Sequence, residues 1–217
     1  SIAIVFAAGP KGGDVATNYG QPDGTKIWGY AMGLSRVARK AFTTTETLLD
    51  LTSYGIASPW AAGDYNGYKY TQQLETATAS LGAALMSAYN EWKTANSVSE
   101  ITNVSGWYIP SARQLLDVMG MTLGYAGEEG IDAVAQNEQF ASLLADLMSG
   151  DKSWFGTHTS ASNVMSSSVS RSGQIFAVQT SYADGKETIS KALGVGVNQR
   201  ASTFAIRPVL TIFKPAE

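Results

Sequence analysis

The segment that most constrains this fold is a strand–turn–helix junction in the middle of the chain, GWYIPSARQLLDVM at residues 106–119. Its first half is aromatic and apolar and stops at Pro110, which predicts a short strand ending there. Ser111 is a good N-cap, and Gln114 completes a capping box in which each side chain bonds a backbone N–H of the other residue. An apolar helical stripe follows. We therefore predict that Trp107 is buried beside this junction.

Hydrophobic periodicity divides the rest of the chain into strands and helices. Residues 36–62 are irregular by pattern, with a short helix at 45–51 as one option, whereas 71–95 has the strongest helical stripe. The other predicted elements are a buried strand at 2–8, strands at 26–34, 175–180, 186–192 and 204–213, and a helix at 137–149. Because no internal repeat, linker or composition shift occurs, we predict a single α+β domain over residues 1–217.

Composition excludes several classes of function. The net charge is −3 and no basic run occurs, so a nucleic-acid interface is not expected. The absence of cysteine excludes disulfides and thiolate metal sites. No apolar run reaches the roughly 20 residues of a membrane span, and residues 1–8 lack a signal peptide's basic start, so they are interpreted as a first strand. A charged fraction of only 15%, with abundant Gly, Ser and Thr, favours a loop-rich extracellular domain.

Four segments in order resemble one family. They are YNGYKYTQ at 65–72, GWYIPSARQL at 106–115, SWFGTHTSA at 153–161 and TFAIRPVLTI at 203–212. These segments are similar to motifs of the C-type-lectin-like domains related to formylglycine-generating enzyme, which occur in bacterial surface proteins with fimbrillin-like modules. The resemblance implies a C-type-lectin-like domain of short twisted antiparallel sheets with two to three flanking helices, exposed on a bacterial cell surface.

The triplet Gln21-Pro22-Asp23 has the same letters as the sugar-binding triplet of calcium-dependent lectins. It precedes the first predicted long helix, however, whereas the lectin triplet follows the second, and no Trp-Asn-Asp partner is present. Proline followed by Asp-Gly is a β-turn signal. We therefore predict a turn here, and no calcium or other metal site.

Groups for catalysis are scarce. The one histidine is His158, no Gly-x-Ser-x-Gly elbow surrounds a serine, and the acidic cluster at 128–132 lacks metal-ligand spacing. Formylglycine-generating enzymes and related oxidases need cysteines or a set of iron-binding histidines. The chain departs from them at those positions, so we predict that it is not an enzyme and uses no cofactor.

Binding is the remaining role, and the resemblance implies ligand-facing residues in the C-terminal half. Residues 154–171 are rich in Ser, Asn and Thr, a composition suited to adaptable hydrogen bonding around a few rigid anchors. We predict that His158, Asn163 and Arg171 lie on one exposed surface that contacts the partner. Trp154 is either an anchor of this ligand-binding surface or a core residue.

Three functional hypotheses follow from these patterns. The first is a non-enzymatic ligand-binding or adhesion module of a bacterial surface or pilus-associated protein, whose partner is a glycan or protein on a host or neighbouring cell. The second is a retroelement-diversified or phage-tail variable receptor-binding protein of the same fold. The third is an enzyme of the formylglycine-generating type, but the chain lacks the cysteine thiols that such an enzyme needs.

Overall fold

The structure is a computed structural model. It describes residues 2–41, 63–76, 83–123, 162–169, 174–183, 186–196 and 203–214. Its strands are β1 (Ala3–Ala8), β2 (Ile27–Gly33), β3 (Val37–Ala41), β4 (Ser162–Val169), β5 (Gln174–Ala183), β6 (Lys186–Gly196), β7 (Thr203–Ile206) and β8 (Val209–Phe213). Its helices are α1 (Gly67–Thr76), α2 (Ala83–Ala95) and α3 (Ala112–Leu123), with a 3-10 turn at Ala16–Tyr19. The α+β class is confirmed.

The strands form two sheets. One has three strands in the order β1-β2-β8, and the other has five in the order β3-β7-β4-β5-β6. All pairings are antiparallel except that of β4 with β7. The dipeptide Asp184-Gly185 between two strand patterns predicts a hairpin. Ala183 pairs with Lys186, so this hairpin between β5 and β6 is confirmed, although its turn at 184–185 lies outside the described residues. No helix in the described part of the chain is long and apolar enough to span a membrane.

One bent ribbon joins the two sheets. This two-stranded ribbon consists of the pair β2–β8 in the first sheet and the pair β3–β7 in the second, and the chain runs directly from β2 to β3 and from β7 to β8. At the bend, buried Arg207 donates from Nη1 to the carbonyl oxygens of Gly33 and Leu34, each at 3.1 Å. The N–H of Gly33 donates to the carbonyl of Pro208 at 2.9 Å. The strand predicted at 204–213 is therefore two strands, because the chain changes sheet at Pro208.

Three other sequence predictions need correction. Residues 37–41, predicted irregular, form β3 on the bent ribbon. The strand β1 is buried on one face only, since Val5 is 48% exposed. The helix predicted at 71–95 begins earlier, at Gly67, and is described as α1 and α2 with residues 77–82 outside the described part. The helices predicted at 45–51 and 137–149 also lie outside it.

The central junction has the predicted capping box. The N–H of Gln114 donates to Ser111 Oγ at 3.1 Å, and the N–H of Ser111 donates to Gln114 Oε1 at 3.0 Å. The segment before it joins β8 through two isolated bridges, Val104 with Ile212 and Tyr108 with Val209. Tyr108 exchanges two backbone hydrogen bonds with Val209 and is the one bridge within the predicted strand itself.

Trp107 lies in the core, as predicted, with 5% of its surface exposed. Its ring meets that of Trp92 edge-on, with centroids 5.1 Å apart, and its Nε1 donates to the carbonyl of Asn96 at 2.6 Å. Trp92 in turn donates from Nε1 to Ser35 Oγ at 2.8 Å, beside the ribbon bend. The two indoles therefore pack α2 against the junction and the bend.

Candidate functional site

An open groove lies at one end of the three-stranded sheet. Its volume is about 750 Å³, within the range of small-ligand sites. It is lined by the segment after β1, the turn before β2, the start of β2 and the residue after β8. These are Ala8, Gly9, Pro10, Asp14, Val15, Ala16, Thr17, Pro22, Asp23, Gly24, Thr25, Lys26, Ile27, Trp28 and Lys214. We call it the Trp28 groove.

Trp28 is the most informative side chain of the groove, because 52% of its surface is exposed. A β-bulge places it there. Ile27 pairs with Phe213 and Gly29 pairs with Ile212, so Trp28 is an extra residue with no partner on β8. Bulges break the alternation of side chains and re-aim the bulged residue.

The backbone of Trp28 is nevertheless held firmly. Its carbonyl accepts a hydrogen bond from the N–H of Gly9 at 2.7 Å. The neighbouring Gly29 approaches β1 so closely that a Cβ there would lie 2.5 Å from the carbonyl oxygen of Ala7. The indole therefore projects from a rigid platform, which lowers the entropy lost when it contacts a ligand.

The floor of the groove is organised by a buried carboxylate. Asp14, 4% exposed, accepts hydrogen bonds at Oδ2 from the hydroxyls of Tyr19 and Tyr30, at 2.6 and 2.7 Å, and at Oδ1 from Asn18 Nδ2 at 2.8 Å. Gln114 Nε2 donates to the hydroxyl of Tyr19 at 3.0 Å. The capping box of the central junction is thus linked through two side chains to the groove floor.

The ionisation of these groups follows from burial. Desolvation raises the pKa of the Asp14 carboxyl above its ordinary value of 3.8, and the hydrogen bonds from Tyr19, Asn18 and Tyr30 oppose the rise. Desolvation also raises the pKa of both tyrosines, with the nearby Asp14 charge adding to it. The phenols therefore stay protonated at neutral pH and serve as donors.

The Gln-Pro-Asp triplet lies on the groove rim as the predicted turn. The N–H of Thr25 donates to the carbonyl of Pro22 at 3.2 Å, and Asp23 Oδ1 accepts from the N–H of Gly24 at 3.0 Å. Gly24 has a φ of +85°, which glycine adopts without strain. Within the described ranges, no three His, Cys, Asp or Glu side chains are grouped so that they could hold a metal ion.

The residues predicted from sequence as a binding surface are only partly described. Asn163 lies on β4, is half-buried, and accepts from Gln179 Nε2 at 3.4 Å. His158, Arg171 and Trp154 lie outside the described residues, so their common surface stays a prediction.

The polar composition of 154–171 predicts an exposed binding segment, and this prediction is wrong for part of its length. Residues 164–168 are buried in β4, a central strand of the five-stranded sheet. Ser167 Oγ donates to the carbonyl of Ile109 at 2.9 Å, and Ser168 Oγ accepts from the N–H of Ala112 at 2.9 Å. These small hydroxyls suit close packing against the central junction, which explains a polar composition inside the protein.

Sequence reasoning missed Trp28 as a surface residue. Its alternation with Tyr30 and Met32 predicts one shared face, yet those two are buried and Trp28 is half-exposed. Gly29 is the sequence signal that indicates a break in this alternation, because a glycine inside a strand often accompanies a bulge or a close backbone approach.

Comparison with solved structures finds a protein of similar fold. The chain shares its fold with part of a fimbrial protein from Bacteroides ovatus, with a TM-score of 0.57 and 14% sequence identity. The match covers 96% of this chain and 43% of that protein, so the chain spans less than half of its length. No protein-family model matches the chain, and no curated protein matches it by sequence.

Proposed function

We propose that this chain is a non-enzymatic ligand-binding or adhesion module of a bacterial surface or fimbrial protein, and that the ligand binds in the Trp28 groove. The fold shared with a fimbrial protein supports the cellular setting. The lectin-like sequence motifs support an extracellular, C-type-lectin-like module. The partner is a glycan or protein on another cell surface.

The observation that carries the proposal is the rigid, half-exposed indole in an open groove. Ligand sites in proteins are concave and combine apolar or aromatic side chains with a few placed polar groups, and Trp28 is the exposed aromatic side chain in the lining of this groove. Tryptophan is also one of the three residue types enriched among those that dominate binding energy. Trp28 combines both properties with the polar rim that specific sites need.

The test is binding to printed arrays of glycans and cell-surface proteins. Trp28→Ala should abolish the array signals of the wild-type protein. Ile101→Ala is the matched control, because Ile101 is 50% exposed and lies in a different depression. Signals that survive in Trp28→Ala would place the site elsewhere, and a wild-type protein that binds nothing on either array would overturn the proposed function.

A second variant separates the two candidate surfaces. The triple substitution of His158, Asn163 and Arg171 by alanine should leave binding within about twofold of wild type if the Trp28 groove is the site. The reason is that Asn163 belongs to the five-stranded sheet, whereas the groove is at the end of the three-stranded one. Loss of binding in a triple variant of unchanged stability would favour the surface predicted from sequence instead.

A further inference from the structure

The groove rim carries two lysines that face each other across a strand pair. Ile27 pairs with Phe213, and one step further the N–H of Lys214 donates to the carbonyl of Lys26 at 2.8 Å. Lys26 and Lys214 are therefore directly opposite, and their side chains leave the same face of the sheet. Both are exposed, and both line the Trp28 groove.

This arrangement is unfavourable in the unliganded protein. The Cβ atoms of directly opposite residues lie about 4.5–5.5 Å apart, and like charges at such positions are destabilising. Among the described residues neither ammonium group has an ion-pair partner, so this part of the rim attracts an anion, which would relieve the repulsion between the lysines when it binds.

The other groups of the groove narrow the class of anion. The indole of Trp28 offers a flat apolar face of the kind that packs against the C–H face of a sugar ring. Asp23 is exposed on the turn, and a carboxylate can accept hydrogen bonds from the hydroxyl groups of a ligand. Its negative charge also opposes a densely charged polyanion. A ligand that fits all three features has a ring, several hydroxyls and one carboxylate per sugar.

We propose that the Trp28 groove binds an acidic saccharide of the uronic type, with its carboxylate between Lys26 and Lys214 and a sugar ring on Trp28. This inference rests on the proposed function and names its ligand class. Charge-assisted hydrogen bonds from the two ammonium groups hold the carboxylate, while the indole supplies the apolar contact.

The experiment uses titration calorimetry with three probes. They are trigalacturonic acid, its methyl ester, which keeps the rings and removes the charges, and a sulfated trisaccharide. Protein variants are Lys26→Met, Lys214→Met and the double variant, which keep side-chain length without charge. Lys40→Met on β3 is the control, because Lys40 is an exposed strand lysine of the other sheet.

We expect trigalacturonic acid to bind the wild-type protein and to lose about tenfold in affinity with each lysine substitution, as for a charge-assisted hydrogen bond. Lys40→Met should bind normally, and the methyl ester should bind the wild-type protein at least tenfold more weakly than the acid. The melting temperature of the lysine variants should be equal to or above that of wild type, because a repulsion is removed.

Four results would overturn this inference. They are a wild-type protein that does not bind trigalacturonic acid, equal binding of acid and ester, equal or tighter binding of the sulfated probe, and lysine variants that bind normally. If the arrays show Trp28-dependent binding while any of these holds, the groove remains a binding site and only the acidic ligand is wrong. If the arrays show no Trp28-dependent binding, the Trp28 groove itself fails as the site.

Discussion

Trp28 and Trp107 are both tryptophans in short extended segments, yet their environments differ. Trp107 is buried in the core and packs edge-on against Trp92 of α2. Trp28 is an inserted residue in a bulge, and about half of its surface meets solvent. Because the two side chains are chemically identical, the difference in their roles comes from the backbone that carries them.

This difference predicts unequal effects of one substitution. Trp107→Ala should lower the free energy of unfolding by about 3–5 kcal/mol, since it leaves a cavity in the core. Trp28→Ala should lower it by less than about 1 kcal/mol, as for most surface positions. Chemical denaturation of both variants measures the two values. A Trp107→Ala protein with an unchanged midpoint would show that the indole contributes little to the core.

Asp14 predicts a pH dependence of stability. Its pKa is raised in the folded state, so the folded protein binds this proton more tightly than the unfolded chain does. The contribution of Asp14 to stability is therefore present at low pH and declines as pH rises from about 3.8 through the raised pKa. The difference in unfolding free energy between wild type and Asp14→Asn should fall over this window. A difference that grows with pH would mean that hydrogen bonds outweigh desolvation.

At the level of elements, the capping box at the start of α3 has partners beyond its own helix. Gly67 is the first residue of α1, and its N–H donates a hydrogen bond to Gln114 Oε1 at 3.2 Å. Ser111 Oγ donates to the carbonyl of Asp64 at 2.6 Å, just before α1. One pair of side chains thus fixes the starts of two helices.

Gly67 predicts an exception to helix propensity. Alanine normally stabilises a helix by about 1 kcal/mol relative to glycine. At Gly67 the added Cβ would lie 2.5 Å from the backbone nitrogen of Ser111 and 2.9 Å from the carbonyl oxygen of Ile109. Gly67→Ala should therefore lower the melting temperature, because those contacts are with backbone atoms that cannot rotate away.

The control for Gly67→Ala is Gln72→Ala, at an exposed position of the same helix. It should change the free energy of unfolding by no more than about 0.5 kcal/mol. If Gly67→Ala were as stable as this control, α1 and the central junction would have room to move apart.

At the scale of the whole molecule, long-range pairing builds the groove. The strand β2 is paired on one side with β1 and on the other with β8, which ends near the C-terminus. As a result, Lys214 reaches the same rim as Lys26 and Trp28, although almost the whole chain separates them. The bend at Arg207 and Pro208 then leads β7 into the second sheet, so the same ribbon serves both halves of the core.

Local sequence patterns predicted those features that depend on residues close together in the chain. The capping box at Ser111 and Gln114, the burial of Trp107 and the hairpin between β5 and β6 are all confirmed. Each depends on residues close in the chain or on one large apolar side chain. The α+β class follows from the same local signals, because periodicities of 2 and 3.6 are properties of single elements.

Tertiary structure decided what depends on distant partners. The bulge at Trp28 exists only because β2 pairs with β8 in a register that leaves one residue over, and no local pattern fixes that register. The serines of β4 are buried because β4 is central in its sheet and lies against the junction, whereas their composition alone indicates a surface loop. The opposition of Lys26 and Lys214 likewise follows from strand pairing, since hydropathy encodes which face a residue prefers but not which residue stands across from it.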